Sequence, residues 1–115
     1  MDALSLVSAF MDGEAATAGA GPTGAPSGGT WDGYGSGAET EQLLRLEWTN
    51  TDATAYTRAY NGAVQPGNLI DSAALPGATS MDTSLSAYAS YTINITHYKN
   101  GQESAADTFT AGYLA

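Results

Sequence analysis

An all-β sandwich is the fold class this sequence predicts, and three observations carry the prediction. Strand-length runs with apolar residues at every second position recur after residue 41. Asn-Gly and Pro-Gly pairs separate those runs. No long segment carries the 3.6-residue apolar period of a helix that would pack on a sheet. At 115 residues the chain can hold one such domain, which needs about 100, together with an additional segment.

The additional segment is N-terminal. "DALSLVSAFMDGE" puts Leu4, Val7 and Met11 on one helical face with Leu6 and Phe10 nearby, a short helix that is marginal on its own. Residues 13–39 consist mostly of Gly, Ala, Ser, Thr and Pro, which bury too little apolar surface to offset the entropy of ordering. The expectation is a flexible or extended arm over 1–39 and a sandwich over 40–115. Trp31 and Tyr34 stand out among the arm's glycines. They are expected to pack either as a short first strand against the domain's own core or as anchors for a partner subunit.

"LLRLEW" sets Leu44, Leu46 and Trp48 on one face and Leu43, Arg45 and Glu47 on the other, the pattern of a half-buried strand. "AYTRAY" follows and ends at Asn61-Gly62, a strong hairpin signal. Pro66-Gly67 and Pro76-Gly77 mark a long stretch of loops with one or two weak strands. "YTINITHY" is the clearest strand, with Tyr91, Ile93 and Ile95 inward and Thr92, Asn94 and Thr96 outward. "KNGQ" turns the chain into a last strand containing Phe109. The expected core is Leu44, Leu46, Trp48, Tyr56, Leu85, Tyr91, Ile93, Ile95 and Phe109.

Leu85 precedes Tyr91 by six residues, and an alternating strand follows. This spacing resembles the tyrosine corner of fibronectin type III domains, within the immunoglobulin-like sandwiches. "LRLEWTNTDATAYTRAYNG" is similar to that family's strand B tryptophan, B–C loop and strand C tyrosine, and "HYKNGQESAADTFTA" to its F–G loop and strand G. The resemblance spans about residues 41 to 111, with Trp48, Tyr56, Leu85 and Tyr91 in register. Ala87 and Ala89 replace the family's usual proline and threonine, and Arg58 stands where an apolar residue is usual. It implies an antiparallel sandwich used for binding or assembly, in which Tyr91 is buried and its hydroxyl bonds to loop backbone.

Charge narrows the function. Twelve acidic residues against three basic ones, Arg45, Arg58 and Lys99, give a net charge of −9, which disfavours nucleic acid and anionic membrane surfaces. No apolar run reaches the ~20 residues of a membrane-spanning helix. Without cysteine there is no disulfide or thiolate metal site.

The lone histidine, His97, has no recognisable nucleophile motif to serve, and its expected place is structural, near a sandwich end. The acids fall in turns without an ion-binding repeat, and the glycine-rich strings lack a phosphate-binding lysine. No catalytic residue, cofactor or metal ligand is therefore assigned. Asn94-Ile95-Thr96 matches a glycosylation sequon and is expected to be coincidental.

The resemblance implies a display module working outside cells, yet Asp2 stands where a secretion signal would carry positive charge, and a virion protein is the expectation that reconciles the two. The expectation is a bacteriophage-type capsid or tail accessory protein on the particle exterior, self-associating and docked through Leu4, Leu6, Val7, Phe10, Trp31 and Tyr34. The competing expectation is a carbohydrate-binding or spacer module of an extracellular protein, with Trp31, Tyr34 and Tyr60 stacking on a cell-surface glycan.

Overall fold

Residues 19–35 and 42–113 are described by the computed structural model, and among them the chain forms seven strands, one turn of 3₁₀-helix and no α-helix. The strands are β1 (Ser27–Tyr34), β2 (Leu43–Thr49), β3 (Tyr56–Asn61), β4 (Ser80–Ser86), β5 (Ser90–Lys99), β6 (Gln102–Glu103) and β7 (Asp107–Gly112). One antiparallel sheet has the order β1-β2-β4. In the other, β5 pairs with β3 on one side and with β7 and then β6 on the other. The result is a two-sheet antiparallel all-β sandwich, an arrangement compatible with the immunoglobulin-like kind.

Alternation decides what lies between the sheets. In β2, Leu44, Leu46 and Trp48 are buried while Leu43, Arg45 and Glu47 remain half-exposed. Register then places Trp31 of β1 and Met81 of β4 on either side of Leu46. The facing sheet contributes Ala59, Ile93, Ile95 and Ala111, all fully buried. Phe109 packs at the margin, and its ring lies where a Cβ on Gly29 would stand, 2.4 Å from that position. A glycine in β1 therefore lets β7 close against it. The Gly29 N–H fastens the same seam by donating to the Asp107 carboxylate at 2.8 Å.

β1 lies within the segment assigned to the arm by composition, so the sandwich begins well before residue 40. Gly28, Gly29 and Gly33 hid it, because glycine supplies no apolar alternation to read. Trp31 and Tyr34 accordingly form a first strand on the domain itself.

The register of β3 also differs from the expectation. Thr57 and Ala59 face inward, opposite His97 and Ile95, which turns Tyr56 out to 44% exposure. A shift of one residue exchanges the two faces of a strand. Asn61-Gly62 makes no two-residue hairpin. Gly62 has φ +98°, but its N–H donates to the Thr92 carbonyl of β5 at 2.9 Å, and the chain leaves into the 3₁₀ turn Pro66–Asn68. The hairpin chemistry is realised instead at Asn100-Gly101, with φ of 52° and 76°, between the paired Lys99 and Gln102. The weak strands expected in the long loop are isolated bridges, Tyr60 to Leu69 and Thr57 to Ala74.

Leu85 and Tyr91 occupy the ends of β4 and β5 as the corner requires, yet both are only half-buried against the core. The Tyr91 hydroxyl has no hydrogen bond with any described residue. The turn is held by backbone instead: Ala87 N–H donates to Gln42 at 2.9 Å and Tyr113 N–H to Ala87 at 2.7 Å. Tyr91→Phe should therefore shift stability by no more than about 0.5 kcal/mol, as for a substitution that removes no buried partner. A larger loss in urea denaturation would restore the hydroxyl's expected role.

Candidate functional site

Residues 19–26 run as a strap across one end of the sandwich, over the β2–β3 loop and the β5–β6 turn. Asn100 Nδ2 donates to the Ala20 carbonyl at 2.8 Å, and Thr51 Oγ1 donates to the Ala25 carbonyl at 2.8 Å. Thr23 donates its N–H to the Asp52 carboxylate at 3.1 Å and its hydroxyl to the Thr51 carbonyl at 3.3 Å. Gly21 is pressed against Gln102, whose Oε1 would be 2.7 Å from any Cβ there.

Asp52 organises the loop because its short side chain reaches back to nearby backbone. Its carboxylate accepts the Thr54 hydroxyl at 2.6 Å and the Thr54 N–H at 3.0 Å, and Lys99 Nζ stands 4.0 Å away. The Thr54 hydroxyl, then the Thr54 and Thr23 amides, hold this carboxyl far below the usual carboxylate range; desolvation opposes them and Lys99 adds a smaller attraction. Its contribution to stability is present above the ordinary value of 3.8 and is lost as pH falls below it.

Beneath this loop lies His97, fully buried at the inner face of β5. Its Nε2 accepts the Thr51 N–H at 3.1 Å, so that nitrogen carries no proton. Its Nδ1 lies 3.0 Å from Thr57 Oγ1. Both ring nitrogens are thus engaged inside the domain, the structural place expected from sequence. Burial pushes the imidazole below its ordinary 6.5, against smaller opposing effects of the Tyr56 backbone and the Asp52 charge.

The unfolded chain therefore binds a proton near pH 6.5 that the folded chain refuses. Stability should fall as pH drops through 6.5, by at most about 1.4 kcal/mol per pH unit, until the lowered folded value is reached. Urea midpoints at about pH 7.5 and about pH 5.5 should differ in the wild type and converge in His97→Gln. Equal midpoints in the wild type would contradict the neutral, hydrogen-bonded ring.

The outer face of the four-stranded sheet adjoins this end. Tyr60 donates to Glu103, which also accepts the Thr96 hydroxyl at 2.7 Å. Arg58 stacks 3.6 Å from the Tyr98 ring centroid, within 3.9 Å of Glu103. This cover explains why Thr96 is fully buried and Tyr60 only 2% exposed, although both point away from the core. Tyr60 cannot offer its ring to a sugar; exposed Tyr56, paired across from Tyr98, is the aromatic this face presents. Burial and the Glu103 contact raise the Tyr60 phenol above its ordinary value.

The residues proposed for partner binding are not gathered here. Leu4, Leu6, Val7 and Phe10 lie outside the described residues. Trp31 packs on the core, while Tyr34 crosses the outer face of the other sheet, where its hydroxyl donates to the Thr83 carbonyl at 2.6 Å and Arg45 sits 5.1 Å from its ring centroid. Sequence reading missed Thr23, Thr51 and Asn100 as strap contacts; "NTDAT" carried the only local sign, an Asp placed to bond backbone two residues on. The sequon's Asn94 is occupied, donating to Gly62 at 2.7 Å and accepting from Thr108. An open groove of about 280 Å³ beside β4 is lined by Asn61, Asn68, Leu69, Asp71, Ser84 and Leu85 among others. Among the described residues no group of three or more acidic or histidine side chains is placed to share a metal ion.

Comparison with protein-family models, curated proteins and solved structures finds no match to this chain.

Proposed function

We propose that this chain is a non-enzymatic structural component of a virion, a capsid decoration, head-fibre or tail accessory protein of bacteriophage type, anchored through its N-terminal segment and presenting the sandwich outward. The strap carries this reading. Its hydrogen bonds to both neighbouring loops tie residues 19–26 to one end of the domain, so an anchor ahead of residue 19 sets the orientation of the sandwich. Tyr113 is bonded at the opposite end, beside the β4–β5 turn, which would face away from such an anchor, while Tyr56 is exposed on the outer face close to the strap. Repeated docking on a symmetric particle would bring several copies together.

The test compares the full chain with one beginning at Gly19, each sedimented with particles of the encoding virus. The full chain should co-sediment, and the shortened chain should keep its β-sheet circular dichroism but remain in the supernatant. The cut falls at Gly19 because removal of β1 would uncover Leu44 and Leu46. Equal binding by both chains would place the interface on the sandwich. Glycan binding abolished by Tyr56→Ala would favour the competing reading, a carbohydrate-binding module.

A further inference from the structure

The chain contains two chemically similar Asn-Gly pairs, Asn61-Gly62 and Asn100-Gly101, and the fold treats them oppositely. In an Asn-Gly pair the glycine's backbone nitrogen can attack the asparagine side-chain carbonyl carbon, because no Cβ obstructs its approach. The attack requires that nitrogen to be free and the local backbone to rotate.

At Gly62 neither condition holds. Its N–H is committed to Thr92 at 2.9 Å and its carbonyl accepts Asn94 Nδ2 at 2.7 Å, so both sides of the residue are fastened to β5. Asn100 and Gly101 are both exposed at the tip of the β5–β6 turn. The Gly101 N–H finds no partner among the described residues. The space beside its Cα is open, with no atom within 4 Å of the point a Cβ would occupy.

We propose that Asn100 is a site of spontaneous self-modification that unfastens the strap. The Gly101 nitrogen, having given its proton to solvent base, bonds to Asn100 Cγ; solvent returns a proton to Nδ2, the Cγ–Nδ2 bond breaks and the nitrogen leaves as ammonia, closing a succinimide. Water then opens the ring at either carbonyl, yielding an aspartate or an isoaspartyl linkage. No oxidant or reductant takes part.

Both products act on the strap. Asn100 Nδ2 is the donor that holds the Ala20 carbonyl at 2.8 Å, and a carboxylate in its place faces that carbonyl with like charge. The isoaspartyl product also adds a methylene to the main chain. A two-residue turn joining Lys99 to Gln102 cannot accommodate it without disturbing the β5–β6 pairing. That pairing positions Glu103, on which Tyr60 and Thr96 depend.

The experiment ages the full chain at mildly alkaline pH and maps modified peptides by mass spectrometry, with amide hydrogen exchange of residues 20–26 measured on the separated modified fraction. Asn100 should be modified about tenfold or more ahead of Asn61, the ratio expected when one hydrogen bond must first be broken at Gly62. Exchange in the strap should rise in the modified fraction and in Asn100→Asp, and stay unchanged in Asn61→Asp. Equal or faster modification of Asn61 would overturn the assignment, and an unchanged strap in the aged fraction would overturn its consequence. The aged wild type supplies both readouts, so the test does not depend on either variant folding.

Discussion

Leu46→Ala should cost about 2–5 kcal/mol, a large part of the 5–15 kcal/mol typical of a domain. Leu46 is fully buried in the middle strand of its sheet, with Trp31 and Met81 in register on either side. Those neighbours belong to hydrogen-bonded strands, which limits how far they can move into the vacated volume. The cost then combines lost burial with an unfilled cavity. Urea denaturation of the variant should show a lower midpoint at an unchanged slope, and a loss below about 1 kcal/mol would mean that the core collapses freely around the site.

Gly112→Ala should rank beside it. Gly112 has φ +98°, and a Cβ there would stand 1.9 Å from the Ala89 carbonyl oxygen. The backbone conformation accounts for about 1–3 kcal/mol and displacement of the β4–β5 turn for a similar amount. Gly62→Ala is the control, because Gly62 shares φ +98° but its added Cβ would meet only Asn68 Nδ2, at 3.5 Å. The difference between the two variants therefore reports the collision. Equal losses would show that the C-terminal end of β7 moves aside without penalty.

The sequence made those parts of the fold legible whose side chains alternate. β2 could be read from Leu44, Leu46 and Trp48, and β5 from Ile93 and Ile95, because each apolar residue is opposed by a polar one on the facing side. β1 could not, since Gly28, Gly29 and Gly33 supply no side chains to alternate, and the small size of Gly29 matters only once Phe109 is in place. Strand β3 misled for a different reason. Thr57 and Ala59 line the core while Tyr56 and Tyr60 lie on the opposite face, so large aromatics marked the wrong side.

The same limit applies to the loop end. Asp52 could be read as a turn residue from its neighbours alone. That its carboxylate also holds Thr23, and that Asn100 holds Ala20, depends on contacts 29 and 80 residues apart along the chain. No periodicity encodes such pairings. The two Asn-Gly pairs show this at the smallest scale: identical dipeptides become a tight hairpin in one place and a strand exit in the other, according to what β5 offers each of them.

The placement of the strap and of Tyr113 at opposite ends has a mechanical consequence. Tension applied between residues 19 and 113 would draw β1 along its own axis past β2 and draw β7 along its axis past β5. Hydrogen bonds in an antiparallel pair lie perpendicular to the strands, so both ladders would be loaded in shear. The rungs from Thr30 to Tyr34 in one sheet, and from Asp107 to Gly112 in the other, would then share the load and yield together, where peeling from one end would break them singly.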